Sequence, residues 1–420
     1  MHPSILIKKT VVFQTLIDRQ IQGNVNEQRN EIMSRNAIAA SSLKSKSIIF
    51  ALMLLSNVSY SSNGQAFDGI NYINPANDLF VKKVRIDAGV ITMQPKIIFN
   101  GTIDHRPNRL VSDPVIASPY AGVIFRLNPS TAFGVTVNEP FRTSFRFDYP
   151  NSPLFDAEYI RSFTLHPHFA FKATERLWIG TGVYMTNYNV KQHLVLPKNV
   201  TTDPQVLSTQ FKGVGYNISG GIVYFFNKVT FLDLALFGQN LGQLWGNAQF
   251  NNKNHPLIKP SLIQTPATIA MTLTRQFMDK KLMIRLGASH TLWQNFKATS
   301  LSTEPKSFYI PFPYHNTSRY AVLARYQLTE KYAIAGYATK DYTPTPLSRG
   351  NFSLSGDILS TGLGLSKRLS NSLTITAMAA YGFNTSAVNI NEIKIITSGA
   401  VKNRILFSNL EIVYNLDDAA

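Results

Sequence analysis

The sequence predicts an all-β protein: a transmembrane antiparallel up-and-down β-barrel of about fourteen strands with a short N-terminal plug segment. Three observations predict it. From Val84 onward, stretches of about ten to twenty residues alternate apolar and polar side chains, the period of a strand with one face in lipid and the other in water. Those stretches are joined alternately by very short and distinctly longer connectors, as expected when only one end of a barrel faces the periplasm. Ahead of them lies a basic flank followed by a short apolar run, the pattern of a secretory leader.

The leader comes first in the chain. Lys44 and Lys46 precede the apolar run from Ile48 to Leu55, and polar residues then lead to Gly64-Gln65-Ala66. An apolar core of roughly eight residues cannot span a bilayer, which needs about twenty, so the segment reads as a signal peptide cleaved after Ala66. Met33 would open a leader of ordinary length. Residues 1–66 are therefore expected to be an extension plus signal peptide, 67–83 a short hatch, and 84–416 the barrel.

Strands are expected to begin near Val84, Ala117, Thr131, Tyr159, Arg176, Ser208, Val229, Gln264, Lys281, Ser318, Tyr332, Gly356, Ser372 and Val401. The short connectors are Leu127–Ser130, Ala173–Glu175, Asn227–Lys228, Met278–Lys280, Thr329–Lys331 and Arg368–Asn371, each placed like a hairpin turn. The longer ones, rich in Pro, Asn and Ser, cover 105–116, 148–158, 197–207, 246–263, 298–317, 345–355 and 389–400. An even strand number puts both ends of the barrel on the turn side. Within strands the faces separate: Leu282, Ile284, Leu286 and Ala288 alternate with Met283, Arg285, Gly287 and Ser289. Tyr320, Val322, Ala324, Tyr326 and Leu328 likewise oppose Arg319, Arg325 and Gln327, and Leu232, Leu234 and Leu236 oppose Asp233. An ion in hydrocarbon is costly, so the charged set is expected in the lumen.

The formal charge is +17, from 41 Lys and Arg against 24 Asp and Glu, yet it is dispersed through strands and loops. With no basic helix and no aromatic RNA-binding motif, no nucleic-acid partner is expected. A basic lumen or rim instead favours anionic solutes and the phosphates of outer-leaflet lipid. The chain has no cysteine, which removes disulfides and thiol nucleophiles.

His166 and His168 flank Pro167 and share a lumenal face with Ser162, Thr164 and Lys172. Two histidines without a third ligand make no metal site, and neither a G-x-S-x-G nor a zincin signature is present, so neither cofactor nor catalysis is expected. An amphiphile needs apolar contact along its chain and a cation or donor for its head. Arg285 and Arg325, with Arg319 and Arg349 nearer the loop side, are the candidates for the second need; the plain alternative is that they are solvated or salt-bridged lumen arginines. Phe141, Phe145 and Phe147, with Arg142 and Arg146 between them, form either a greasy mouth or part of an interfacial aromatic girdle.

Several short motifs then occur in order. Asn74-Pro75-Ala76 precedes the first strand; Phe133-Gly134 opens a strand that closes on Asn138-Glu139-Pro140-Phe141; Gly215-Tyr216 leads to Gly221-Ile222-Val223-Tyr224. Further on come Trp293-Gln294-Asn295-Phe296, Arg319-Tyr320-Ala321-Val322, and Asp341-Tyr342-Thr343-Pro344-Thr345-Pro346 with Arg349 behind it. From Asn74 to its end the chain resembles the outer-membrane long-chain fatty-acid transporters of the FadL type. The resemblance implies a fourteen-stranded barrel, plugged at the periplasmic end by an N-terminal hatch carrying the Asn74-Pro75-Ala76 tripeptide, that takes up hydrophobic molecules by diffusion. Two departures stand out. Cleavage after Ala66 leaves about seven residues before Asn74, whereas relatives carry a plug several times longer. The chain also runs past Tyr414 to Asp417-Asp418-Ala419-Ala420 instead of ending on an aromatic residue, so assembly recognition is expected to use Ile412 and Tyr414 internally.

The function expected is passive outer-membrane transport of hydrophobic or amphipathic small molecules, long-chain fatty acids first among them. A general diffusion porin and a surface adhesin or receptor barrel are the alternatives. The expected partners are the hydrophobic or fatty-acid ligand, outer-membrane lipid including lipopolysaccharide, and the barrel assembly machinery, for a chain acting as a monomer.

Overall fold

A computed structural model describes residues 74–103, 106–139, 142–146, 157–196, 205–250, 253–256, 260–295, 298–302, 307–311, 314–344, 357–392 and 395–416. The leader, its cleavage point after Ala66 and Met33 fall outside the described residues.

Alternating sequences of this kind have one stable solution in lipid, where each backbone N–H and C=O must be paired and an open edge would leave a row of them bare. The chain adopts it. Fourteen staves run in order: β1 Val84–Ile103, β2 Ile116–Asn128, β3 in two lengths (Thr131–Asn138 and Arg142–Arg146), β4 Ala157–Lys172, β5 Leu177–Leu196 and β6 Gln205–Asn227. They continue as β7 (Thr230–Phe237 and Asn240–Phe250), β8 (Ser261–Thr265 and Thr268–Phe277), β9 Leu282–Thr291, β10 Thr317–Gln327 and β11 Tyr332–Asp341. The last three are β12 Ile358–Arg368, β13 Leu373–Glu392 and β14 Ile395–Leu416. Each pairs antiparallel with the next, and β1 pairs with β14 from Val84↔Leu416 to Ile103↔Thr397, closing the barrel.

The side chains divide as the alternation requires. Leu286, Tyr320, Val322 and Leu236 are exposed on the outer surface, whereas Leu323, between Val322 and Ala324, is 2% exposed and faces inward. The outer face is thus a belt of large apolar groups that only lipid can cover.

The loop side departs from expectation. Segment 389–400 was expected as a long connector, but β13 and β14 stay paired to Glu392↔Ile395. A further strand, Arg106–Ser112, folds back on the loop-side half of β1 inside the expected 105–116 connector. Residues 246–250 likewise belong to β7, pairing with Lys253–Pro256. Beyond the hydrocarbon a strand needs no apolar face, so the alternation fades while the backbone ladder continues.

Closure predicts heat-modifiable behaviour. Unboiled protein should migrate faster than boiled protein on a detergent gel and resist protease outside the long loops; equal mobility of the two samples would be incompatible with a closed barrel.

Candidate functional site

Just before β1 the chain forms one 3-10 turn, Pro75–Phe80, inside the barrel at its short-turn end. Its start is written in the sequence: Asn74 caps it by accepting the Ala76 N–H at 2.9 Å, and Pro75, which has no N–H to lose, follows at the first position. The same asparagine ties the turn to the wall. Its amide nitrogen donates to Asp233 Oδ1 at 2.6 Å and to the carbonyls of Ile222 and Leu234 at 3.1 and 3.2 Å. Asn77 donates to the other oxygen of Asp233 at 2.7 Å, so both carboxylate oxygens are held by the hatch.

A second tether lies across the lumen wall on β4. His168 Nδ1 donates to Asp78 Oδ2 at 2.5 Å, with both side chains fully excluded from solvent. Burial pushes the Asp78 carboxyl up from its ordinary value, and the hydrogen bond and charge of His168 oppose that rise. Behind His168 stands His166, stacked on Tyr184 with ring centroids 3.7 Å apart and bonded through Nε2 to Ser219 Oγ at 2.9 Å. His168 holds the hatch and His166 packs behind it; among the described residues no group of three or more metal-ligating side chains occurs. A third tether is Arg126, whose guanidinium donates to the carbonyls of Leu79 and Pro129. At the short-turn rim, Phe80 packs edge-on against Trp178, with centroids 4.9 Å apart, and beside Phe231 at 5.5 Å.

Glycines shape the socket. A Cβ at Gly221 would overlap the Asn74 side chain, and one at Gly180 would overlap Pro75 and the Ala76 nitrogen. Gly134 leaves the room that the His168 ring fills. The hatch can lie close against β5 and β6 because Gly180 and Gly221 carry no side chain there.

Above the hatch the lumen is not uniformly polar. Met93, Ile116 and Ile405 form a buried cluster with Ile358 and Phe407 against it, and Leu323 and Ala335 form another with Met283, Tyr337 and Met378. Since lumenal residues of a water-filled pore are polar, these are apolar stations beside inward-facing polar groups such as Thr274, Asn403 and Asn409.

The expected arginines are spread along the wall. Arg285 donates from Nε to Thr274 Oγ1 at 3.1 Å and sits opposite Leu323. Arg319, nearer the loop end, has Nε 2.9 Å from Asp341 Oδ1 on β11. Arg325 lies six residues toward the turns, about 20 Å along the strand, and donates to Gln327 at 3.3 Å. They make a column and not a single pocket. Phe141, Phe147 and Arg349 fall outside the described residues, as does the side chain of Phe145, whose backbone belongs to the outer length of β3.

One feature of the wall was not legible in the sequence. The β2–β3 ladder stops at Tyr120↔Asn138. Beyond it, Ile116–Pro119 still pair with β1, while the outer length of β3 pairs with β4, from Arg142↔Arg161 to Arg146↔Ala157. Among the described residues no ladder joins β2 to Arg142–Arg146. Glu139, 3% exposed at this break, takes both Nε and Nη2 of Arg161, at 2.7 and 2.6 Å.

A closed barrel with an apolar exterior, its turn-side end occupied by a tethered hatch, defines an outer-membrane channel protein. The chain belongs to the family described as outer membrane protein transport protein (OMPP1/FadL/TodX), whose profile matches residues 56–407. Among solved structures it is similar to a Pseudomonas aeruginosa FadL homologue, with a TM-score of 0.75 and 17% identity over 86% of this chain and 96% of that one. It is also similar to the P. putida toluene transporter TodX, with a TM-score of 0.65 and 12% identity over 90% of this chain and 100% of that one. The CymD monoaromatic hydrocarbon channel gives a TM-score of 0.62 and 14% identity over 86% and 98%. At these identities the likeness is one of fold. No curated protein matches the sequence.

Proposed function

We propose that this protein carries hydrophobic or amphipathic small molecules passively across the outer membrane, with long-chain fatty acids as its first substrate class. The observation that supports this most directly is the pair of apolar lumenal clusters, around Met93, Ile116 and Ile405 and around Leu323 and Ala335. An aqueous porin would gain nothing from them, whereas a solute with an apolar body gains about 25 cal/mol for each Å² it buries there. The hatch closes the periplasmic end against water, and the break between β2 and β3 offers such a solute a way sideways into lipid, where its transfer costs least. Toluene and other monoaromatic hydrocarbons, named for two of the structural neighbours, are the competing substrate class.

A fatty acid differs from a hydrocarbon by its carboxylate, and the arginine column would guide that group down the lumen. Replacing a charge-assisted donor costs about 1.5 to 3 kcal/mol for each bond lost, a weakening of roughly ten- to a hundredfold. Arg285→Gln and Arg325→Gln should therefore slow uptake of labelled oleate while sparing toluene. Arg319→Gln should do less, because Arg319 is already neutralised by Asp341. Undiminished oleate uptake by all three surface-expressed variants would restrict these arginines to lumen solvation.

The leader cleaved after Ala66, insertion by the barrel assembly machinery through the outward-facing Ile412 and Tyr414, and action as a monomer complete the proposal. Wild-type cells should take up oleate and exclude small polar solutes; the reverse preference would favour a porin.

A further inference from the structure

The outer surface of the barrel holds a cluster of cations that transport does not use. On β14 the outward residues read Tyr414, Ile412, Leu410, Ser408 and Leu406 from the turn side, then Arg404 and Lys402. Ten residues separate Tyr414 from Arg404. At about 3.4 Å per residue and a tilt of about 40° this is a rise of about 26 Å, matching the roughly 25 Å apolar band of an outer-membrane barrel. Phe383, directly across β13 from Arg404 and packed 6.1 Å from Tyr381, marks the same level as an outer aromatic girdle. The cations therefore begin where the hydrocarbon of the outer leaflet ends.

Their arrangement is unfavourable without an anion. Lys96 on β1 lies directly opposite Arg404, and Lys402 is the next outward residue beyond it, opposite Ile98. Arg109 stands on the adjoining strand opposite Asn100, and all four cations are exposed. Like charges facing each other across a ladder destabilise it. The nearby carboxylate, Asp113, is 3.6 Å from Lys96 and on the side away from Arg404. Among the described residues no carboxylate pairs with Arg404, Lys402 or Arg109. Two other outward cations toward the loop end are neutralised, Arg161 by Glu139 and Lys340 by Asp357 at 3.5 Å with its ammonium over the Tyr342 ring, whereas Lys191 and Lys212 are exposed singly on β5 and β6.

We propose that Lys96, Arg109, Lys402 and Arg404 form a binding site for the phosphorylated headgroup of lipopolysaccharide in the outer leaflet. The lipid's acyl chains lie against Leu406, Leu410 and Ile412, and its phosphates bridge the facing cations. Arg404 offers a planar fork suited to a phosphate, and the lysines act as point charges beside it. The site rests on the outer-membrane location and not on the solute carried, so it stands or falls separately from transport.

The test uses the full-length barrel purified in mild detergent. Binding of diphosphorylated lipid A is compared with that of the same lipid stripped of both phosphates, for wild type and for the double variant Lys402→Gln/Arg404→Gln. Wild type should bind the phosphorylated form at least tenfold more tightly. The double variant should lose most of that preference while Arg404→Lys keeps part of it, and oleate uptake should not change. Equal binding of the two lipids by wild type, or an undiminished preference in the double variant, would overturn the proposal. If the double variant does not fold, the comparison of the two lipids on wild type decides alone.

Discussion

Gly221→Ala is expected to unseat the hatch and turn a closed barrel into a conducting one. The added methyl would meet Asn74 Cγ at 2.6 Å and overlap its oxygen, so the Asn74 side chain would have to leave its place between β6 and β7. Leaving breaks its bond to the buried Asp233 carboxylate, a charge-assisted contact that contributes about 1.5 to 3 kcal/mol. It also removes the cap on the 3-10 turn, about 1 kcal/mol more. Overpacking adds roughly 1 to 3 kcal/mol. Together these would move the docking equilibrium by roughly two and a half to five decades, at about 1.4 kcal/mol per tenfold. Planar-bilayer recordings should show low conductance for wild type and long-lived open levels for the variant, while the heat-modifiable gel shift persists because the barrel itself is untouched. Matching conductance in two verified insertions would mean that another segment closes the lumen.

The second large effect is expected at the Asp78–His168 pair. Removing one member of a buried hydrogen-bonded pair typically costs about 1 to 3 kcal/mol, because the other is left desolvated without its partner. The chain contains no cysteine, so a single Leu79→Cys substitution gives an unambiguous reporter at a position only 4% exposed. In that background Asp78→Ala should speed thiol labelling by about ten- to a hundredfold. Adding His168→Ala should bring less than the sum of the two single effects, since both act through one bond. Additive effects, or an unchanged labelling rate in Asp78→Ala, would show that the pair does not latch the hatch.

The parts of this protein set by local rules were readable from its residues. Alternation separates Leu286 from Arg285 and Val322 from Leu323 because strand side chains point to opposite faces by geometry, whatever lies next to them. The tight connectors were placed for the same reason, and thirteen of the fourteen strand starts lie within about three residues of their expected positions. The exception is β14, expected near Val401 and starting at Ile395, because the alternation gives out where the strand leaves lipid. Asp233 and the histidine pair were assigned to the lumen by the same alternation, whereas Asn74-Pro75-Ala76 was read as part of a hatch only through the family resemblance.

What these groups do to one another could not be read in the same way. Asn74 and Asp233 are 159 positions apart, and Asp78 and His168 are 90 apart. Only closure of the barrel brings them within hydrogen-bond distance. The same holds for the arginine column, the break between β2 and β3, and the cation cluster where Lys96 meets Arg404 across the β1–β14 seam. The sequence by itself determined that the chain is a barrel and which face of each strand meets lipid, because those follow from period and turn chemistry. The tertiary structure decided which polar groups pair, where the described β2–β3 ladder stops and which charges stay unneutralised, because those depend on the register of strands that meet only when the sheet closes.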